Sequence, residues 1–361
     1  MKKIMFIILG IIVVAGAGLG TFLYLKPDSE IIEKIKPLIP TEKPKLQVVD
    51  EKSKTRPFAI MINNLAKARP LHSGLQDAYI LYELMVEGGI TRYLALFKDK
   101  DTERVGSIRS CRHYYLDYAL ENDAIYVHWG SSPQGYSDIR KLKINNIEGG
   151  SKYFFRDNNL KVDGKAYSVK FEHTGFSTLP KLKEGLAAKK YRTDLNKSLL
   201  LKYSVKSVDN SKIGEQEEAQ KVDVTFSKVI TSNFEYNEDK KVYNMSVNNK
   251  PHVDYVTKEQ YTYKNIIVYS VRYFPLPGGG GGRQDIENIG TGKGYFISEG
   301  VAYPITWKKN SRSEATKYYL SNEKEIVVND GNTYIGIIPT NGNIKIEGGG
   351  NNGEPSWFCN K

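Results

Sequence analysis

Residues 4–25, IMFIILGIIVVAGAGLGTFLYL, run for twenty-two positions without a charged side chain. A helix of about 20 apolar residues spans the hydrocarbon core of a bilayer, so this stretch predicts a single transmembrane helix and leaves the remainder to fold in water. Ala15, Gly16 and Ala17 would suit cleavage of a secretory leader. Apolar character resumes at Phe22–Leu25, which favours an uncleaved signal anchor over a removed one. With no cysteine in the segment, the expected anchor is the helix itself rather than an attached lipid. Lys2 and Lys3 precede the run, whereas Lys26, Lys34, Lys36, Lys43 and Lys45 follow it and weaken the positive-inside asymmetry. Long domains are exported largely regardless of such charges, so the expectation is a cytoplasmic N-terminus with the bulk of the chain outside.

Residues 26–50 carry Pro27, Pro37, Pro40 and Pro44 among mixed charges and read as a stalk. Beyond it, the 361-residue chain is long enough for two domains, and 40% apolar residues can supply their cores. Its 52 Lys and Arg against 41 Asp and Glu give a net charge of +11, but the two signs are interspersed. That pattern argues against a nucleic-acid stripe and is compatible with a modest attraction to anionic lipid or wall polymer. The two cysteines, Cys111 and Cys359, lie outside any CxxC spacing, which indicates neither a zinc site nor a disulfide framework.

The pattern predicts an α+β chain: a mixed α/β domain over 51–205, a polar linker at 206–220 and a mostly β domain over 221–361. In the first, RPFAIMINN (56–64), Thr91–Phe97 and AIYVHWG (124–130) read as strands, whereas Ala78–Val86 fits helix or strand equally. Ser110 is placed to cap a helix from Cys111 to Leu120, and a second helix is expected near Tyr136–Lys143. In the second domain KVDVTF alternates cleanly, and Glu299-Gly300 and Asp330-Gly331 mark turns between short β-rich runs.

The stretch VGSIRSCRHYYLDYAL (105–120) gathers Arg109, Ser110, Cys111, Arg112 and His113 at the expected start of a helix. Outward-facing N–H groups attract anions there, and two guanidinium forks would reinforce them. Arg109, Ser110, Arg112 and His113 are therefore an anion-binding candidate, with His128, Ser131 and Ser132 nearby at a strand end. Internal acids such as Glu83, Glu87, Asp117 or Asp123 offer the competing explanation, a structural salt-bridge network. Two catalytic alternatives exist: Cys111 as a thiolate with His128 or His173 as base, and Glu83 with Glu87 as a carboxylate pair for glycan cleavage. No HExxH-like spacing occurs, and GTGKG (290–294) lacks the order of a phosphate loop, so no metal or cofactor is expected. PLPGGGGGRQD (275–285) reads as a flexible hairpin connection, open to a partner's approach.

RPFAIMINN, the GLQDAYILYELMVEGGITRYLALF stretch, VGSIRSCRHYYLDYA and DAIYVHWGSSP, with GKGYFISEGVAYPITWKK and NDGNTYIGIIP further on, resemble the YerB-type lipoprotein family of Gram-positive bacteria. The resemblance spans about residues 56–340 and implies two modules and an extracytoplasmic location, without an established activity. This chain departs from the family pattern in lacking a lipobox cysteine. The functional expectation is a membrane-anchored envelope protein, not an enzyme, that binds an anionic ligand, wall polymer or partner protein at the Arg-rich segment. A wall hydrolase and a scaffold for wall-synthesis or division proteins are the alternatives.

Overall fold

The computed structural model describes residues 45–208 and 215–348, together with a short strand at Ser356–Trp357. The expected anchor at 4–25 and most of the stalk lie outside the described residues. Among the described residues no helix is long and apolar enough to cross a membrane.

A twelve-stranded sheet forms the centre. Its N-terminal contribution is β1 (Phe58–Asn63), β2 (Ile80–Met85) and β3 (Thr91–Phe97), followed outward by the strands Ile125–His128 and Asn146–Glu148. The stretch Ala78–Val86, ambiguous by periodicity, is thus a strand. β2 pairs in parallel with Thr333–Pro339, Glu83 standing opposite Gly336, and Asn265–Pro275, Gly290–Ser298 and Val301–Lys309 continue the sheet. Strands from both sides of the 206–220 segment therefore share one hydrogen-bonded sheet. β1, β2, β3 and Thr333–Pro339 are buried at every position, as central strands covered on both faces must be.

One face is covered by a seven-stranded antiparallel sheet that includes Lys221–Ser227, Ile230–Asn237, Val242–Val247 and Asn343–Glu347. Its residues alternate between buried and solvated, and Val222, Val224, Phe234, Met245 and Ile344 pack against Tyr93, Ile266 and Tyr334 of the large sheet. The opposite face carries helix α1 (Tyr115–Glu121), whose Tyr115, Leu116, Tyr118 and Ala119 pack against Met61, Tyr82, Leu94 and Tyr126. Helix α2 (Pro133–Lys141) starts where Ser132 accepts the Gly135 N–H and Pro133 fills the first turn. Helix α3 (Leu179–Ala188) adds Leu179, Leu182 and Leu186 to the core. Among the described residues strands outnumber helices throughout, so the protein is mostly β, which corrects the α+β class and the mixed α/β first half expected from sequence. The helical periodicity there is confined to three short segments that decorate the sheet.

The Glu299-Gly300 turn closes a hairpin with φ of 50° and 81° at its two central residues, as a tight hairpin turn requires. The Gly-rich connection links Asn265–Pro275 to Gln284–Glu287 in antiparallel register.

Candidate functional site

Helix α1 begins at Tyr115, four residues later than the sequence suggests, and Ser110 does not cap it. The reason is competition for backbone groups. Arg109 N donates to Met61 O, Cys111 N to Gly130 O and Ser132 N to Cys111 O. Residues 109–111 are thereby drawn onto the C-terminal ends of β1 and the Ile125–His128 strand. The Arg109 and Cys111 N–H groups are taken, and the helix expected to gather such donors at 111 starts only at Tyr115.

Each cationic group of the segment meets a different acid. Arg112 forms a two-pronged pair with Glu87, Nε to Oε1 at 2.6 Å and Nη2 to Oε2 at 2.8 Å, and its Nη1 donates to Cys111 O at 2.8 Å and to the Ser110 hydroxyl at 3.2 Å. Burial alone would raise the Glu87 pKa, but Arg112 outweighs it and holds this carboxyl below its ordinary value. His113 Nε2 stands 2.9 Å from Asp285 Oδ1, off the line of an aligned hydrogen bond, beside the Gly-rich hairpin. Arg109 reaches Glu172 through Nη2 alone, at 2.9 Å, while its buried Nε has no partner among the described residues.

Around Arg109 the fold assembles groups that are distant in sequence. The Arg156 guanidinium carbon lies 4.0 Å from the centre of the Trp129 ring system and 3.8 Å from that of Phe171, a cation held between two aromatic faces. Phe171 is 66% exposed. Arg156 donates to Phe171 O and makes no ion pair among the described residues. Burial and the like charge of Arg109 lower its pKa, which places the two guanidiniums in one electrostatic neighbourhood. His173 is buried against Asn63 at 2.7 Å, and burial followed by Arg109 depresses its pKa. Arg156 and Phe171 escape sequence reasoning because neither lies in a motif; an arginine near an exposed aromatic is a signal only after folding. Arg92, equally unannounced, is buried behind the segment, donating to Ser110 O and, at 3.1 Å, to Ser110 Oγ, with its pKa lowered by burial to about 10.

The catalytic candidates do not converge. Glu83 is sealed between β2 and the second half of the chain, whereas Glu87 sits past the strand end on Arg112. They occupy separate networks rather than facing one another across a substrate. His128 uses both ring nitrogens, Nδ1–H donating to Gly130 O at 2.8 Å and Nε2 accepting from Asn146 at 2.9 Å, so neither is available as a base. Ser132 is the α2 cap, and Ser131 Oγ donates to Ser132 O at 3.0 Å. Among the described residues no group of three or more His, Cys, Asp or Glu could hold a metal ion.

Cys111 is a free, fully buried thiol, and burial pushes its pKa up to about 11. A thiol so protonated is a poor nucleophile. Iodoacetamide should therefore leave Cys111 unmodified in the native Cys359→Ser variant at pH 8 and label it fully in denaturant, as read by intact-mass spectrometry. Native labelling at a free-thiol rate would contradict this assignment.

A two-module β protein with a shared central sheet and a cationic, aromatic surface cluster is the class that the fold and site define. Two adjoining family models match it: the domain described as "Protein of unknown function (DUF3048) N-terminal domain" covers residues 45–192 and its C-terminal counterpart covers 222–335, and the chain belongs to this family. It is 29% identical over 302 residues to "Putative lipoprotein YerB" of Bacillus subtilis (strain 168), a match covering 81% of this chain and 84% of that protein. The crystal structure of the YerB protein from Bacillus subtilis is similar with a TM-score of 0.69 at 25% identity, over 84% of this chain and 99% of that one.

Proposed function

We propose that the protein is an anchored, outward-facing envelope component that binds an anionic polymer through the face formed by Arg109, Arg156, Trp129 and Phe171, without catalysing a reaction. The lipoprotein description of its Bacillus relative supports a surface location, and the apolar run at 4–25 would serve as the anchor in place of a lipid. The observation that carries the binding assignment is a charge imbalance. Among the described residues Arg109 and Arg156 have a single carboxylate between them, that of Glu172, whose side chain is 46% exposed. Arg112 contributes nothing further, because Glu87 fills its fork. Guanidinium groups beside the exposed Phe171 ring and the half-buried Trp129 suit phosphodiester or carboxylate groups strung along a chain.

The full chain in detergent should bind purified anionic wall polymer in a salt-dependent manner. Arg109→Ala combined with Arg156→Ala should weaken binding about tenfold or more, and Arg112→Lys should leave it unchanged. Equal binding by the double variant and wild type would remove this face from the function. Release of sugars or peptides from wall material by the purified protein would replace the binding reading with the hydrolytic one.

A further inference from the structure

A second, unassigned site lies in a cleft of about 310 Å³ between the two halves of the chain, lined on one side by Arg69 and Pro70 and on the other by Lys250, His252 and Lys258. Its volume is at the lower end of small-molecule sites. The chemistry of its wall is set by a chain of imidazoles. His72 Nε2 is within hydrogen-bond reach of Asn63 O, a carbonyl that only accepts. His72 therefore carries its proton on Nε2 and presents a bare Nδ1, provided that the ring is neutral. Burial, the largest influence on it, lowers the His72 pKa to about 4, which keeps it neutral at physiological pH. His252 Nε2 lies 2.7 Å from His72 Nδ1 and must be the donor of that bond. The consequence falls on His252 Nδ1, which is left as an acceptor. His252 is 3% exposed and neutral, burial depressing its pKa well below the ordinary value, and this nitrogen has no partner among the described residues.

Arg69 supplies the opposite deficiency. Its Nε is buried and unpartnered, and it forms no ion pair among the described residues. Two acids line the cleft with it: Asp163, exposed and in no ion pair among the described residues, and Asp254, which is already committed. Oδ2 accepts from Gly74 N at 2.6 Å and Tyr261 OH at 2.8 Å, and Oδ1 accepts from Val256 N at 2.7 Å and Thr257 N at 3.0 Å. Glu83 acts on Arg69 only from beyond ion-pairing distance. Lys258, 4.6 Å from the centre of the Tyr255 ring, and the exposed Lys250 add two further cations at the rim.

Among the described residues Arg69, on one side of the cleft, thus lacks an ion-pair partner, and His252, on the other, has a buried Nδ1 without a donor. The geometry points to a small ligand that offers both: a polyol phosphate, its phosphoryl oxygens on Arg69 and the rim lysines and a hydroxyl donating to His252 Nδ1. An anion without a hydroxyl, such as sulfate, satisfies only the first requirement, and a neutral sugar only the second. This site is independent of the Arg109 face, and failure of either leaves the other standing.

The test uses the full chain in detergent with ¹⁵N-labelled histidine, whose five side chains give a sparse spectrum. Titration with glycerol 1-phosphate should saturate and move the His252 ring nitrogens, with His113, His128 and His173 unaffected. Sulfate, which has no hydroxyl to donate, should bind about tenfold more weakly. Arg69→Gln should lose about tenfold for both probes. His252→Gln, whose amide can still donate to His72, should lose affinity for glycerol 1-phosphate alone. Poly(glycerol phosphate) and phosphatidylglycerol vesicles, added as competitors, distinguish a wall polymer from a lipid headgroup as the source of the same chemistry. The assignment is overturned if His252 does not respond at saturation, if no saturable binding occurs, if Arg69→Gln binds like wild type, or if sulfate and glycerol 1-phosphate bind equally. Should His252→Gln fail to fold, the wild-type ring shifts and the Arg69 variant still decide.

Discussion

Replacing Lys309 by Met should cost about 3–5 kcal/mol of unfolding free energy, the range for removing one partner of a buried ion pair. Lys309 Nζ lies 2.6 Å from Glu121 Oε2, and the two side chains are 1% and 0% exposed. The pair joins helix α1 to the Val301–Lys309 strand, so it fastens the N-terminal part of the fold to the C-terminal part. Glu121 is otherwise well served, accepting from Tyr82 OH at 2.8 Å and from Thr316 N and Oγ1 at 2.9 and 2.7 Å. The ammonium also donates to Glu314 O at 2.6 Å. Those bonds do not neutralise a carboxylate, and the lost cation leaves a charge in a medium that cannot solvate it. Adding Glu121→Gln to the Met variant should recover more than half of the loss, because the stranded charge disappears. Equilibrium urea unfolding of the two single variants and the double variant gives the coupling. A loss below about 1 kcal/mol for Lys309→Met, or strictly additive effects, would contradict the role given to this pair.

The second large effect is expected at Glu83. Its Oε1 accepts from Thr91 Oγ1 at 2.5 Å and Asn64 Nδ2 at 3.1 Å, and its Oε2 from Ser232 Oγ and Tyr334 OH, each at 2.7 Å. Ser232 and Tyr334 belong to the second half of the chain, so this carboxyl is a node of the junction. Glu83→Leu would leave buried polar groups without a partner, at about 1–3 kcal/mol each before rearrangement, and a total loss of about 3–5 kcal/mol is expected. Glu83→Gln should cost far less, because the three hydroxyls can rotate to match an amide.

The same group predicts a pH dependence of definite sign. Burial raises the Glu83 pKa even though Thr91, Ser232 and Tyr334 pull it down. The native state therefore holds this proton more tightly than the unfolded chain, where a glutamate titrates near 4.3. Stability from this source is complete below that value and is lost as pH rises through the folded pKa. Relative to wild type, Glu83→Gln should gain stability between pH 4 and pH 7 in parallel urea titrations. A gap that is constant over this range, or that moves toward wild type, would refute the shift.

The β-rich second half was legible because its signals are local. KVDVTF alternates, and the Lys221–Ser227 strand buries every second residue, since a pleated strand with one solvated face imposes that period wherever it lies. Glu299-Gly300 announced its hairpin by the same kind of local constraint. The 105–120 stretch misled for the opposite reason. Ser110 ahead of the aromatic and aliphatic run from Tyr114 offers a local cap signal, yet the β1 and Ile125–His128 strand ends offered Met61 O and Gly130 O to the backbone first. Nothing in positions 105–120 encodes that competition.

Sequence alone determined where apolar surface must be hidden in the described residues: the alternating strands of the outer sheet and the continuous apolar strands of the centre. Period and composition act over a few residues, and hydrophobic burial follows them. Which charges remain unanswered was decided only by the tertiary structure. Arg109 and Arg112, three positions apart, meet different acids, and Glu87 fills one fork while Glu172 only touches the other. His72 and His252, 180 residues apart, share one hydrogen bond, and the far nitrogen of His252 has no partner among the described residues. Coulomb and hydrogen-bond energies depend on separation in space and on desolvation, and neither quantity exists until the chain has folded.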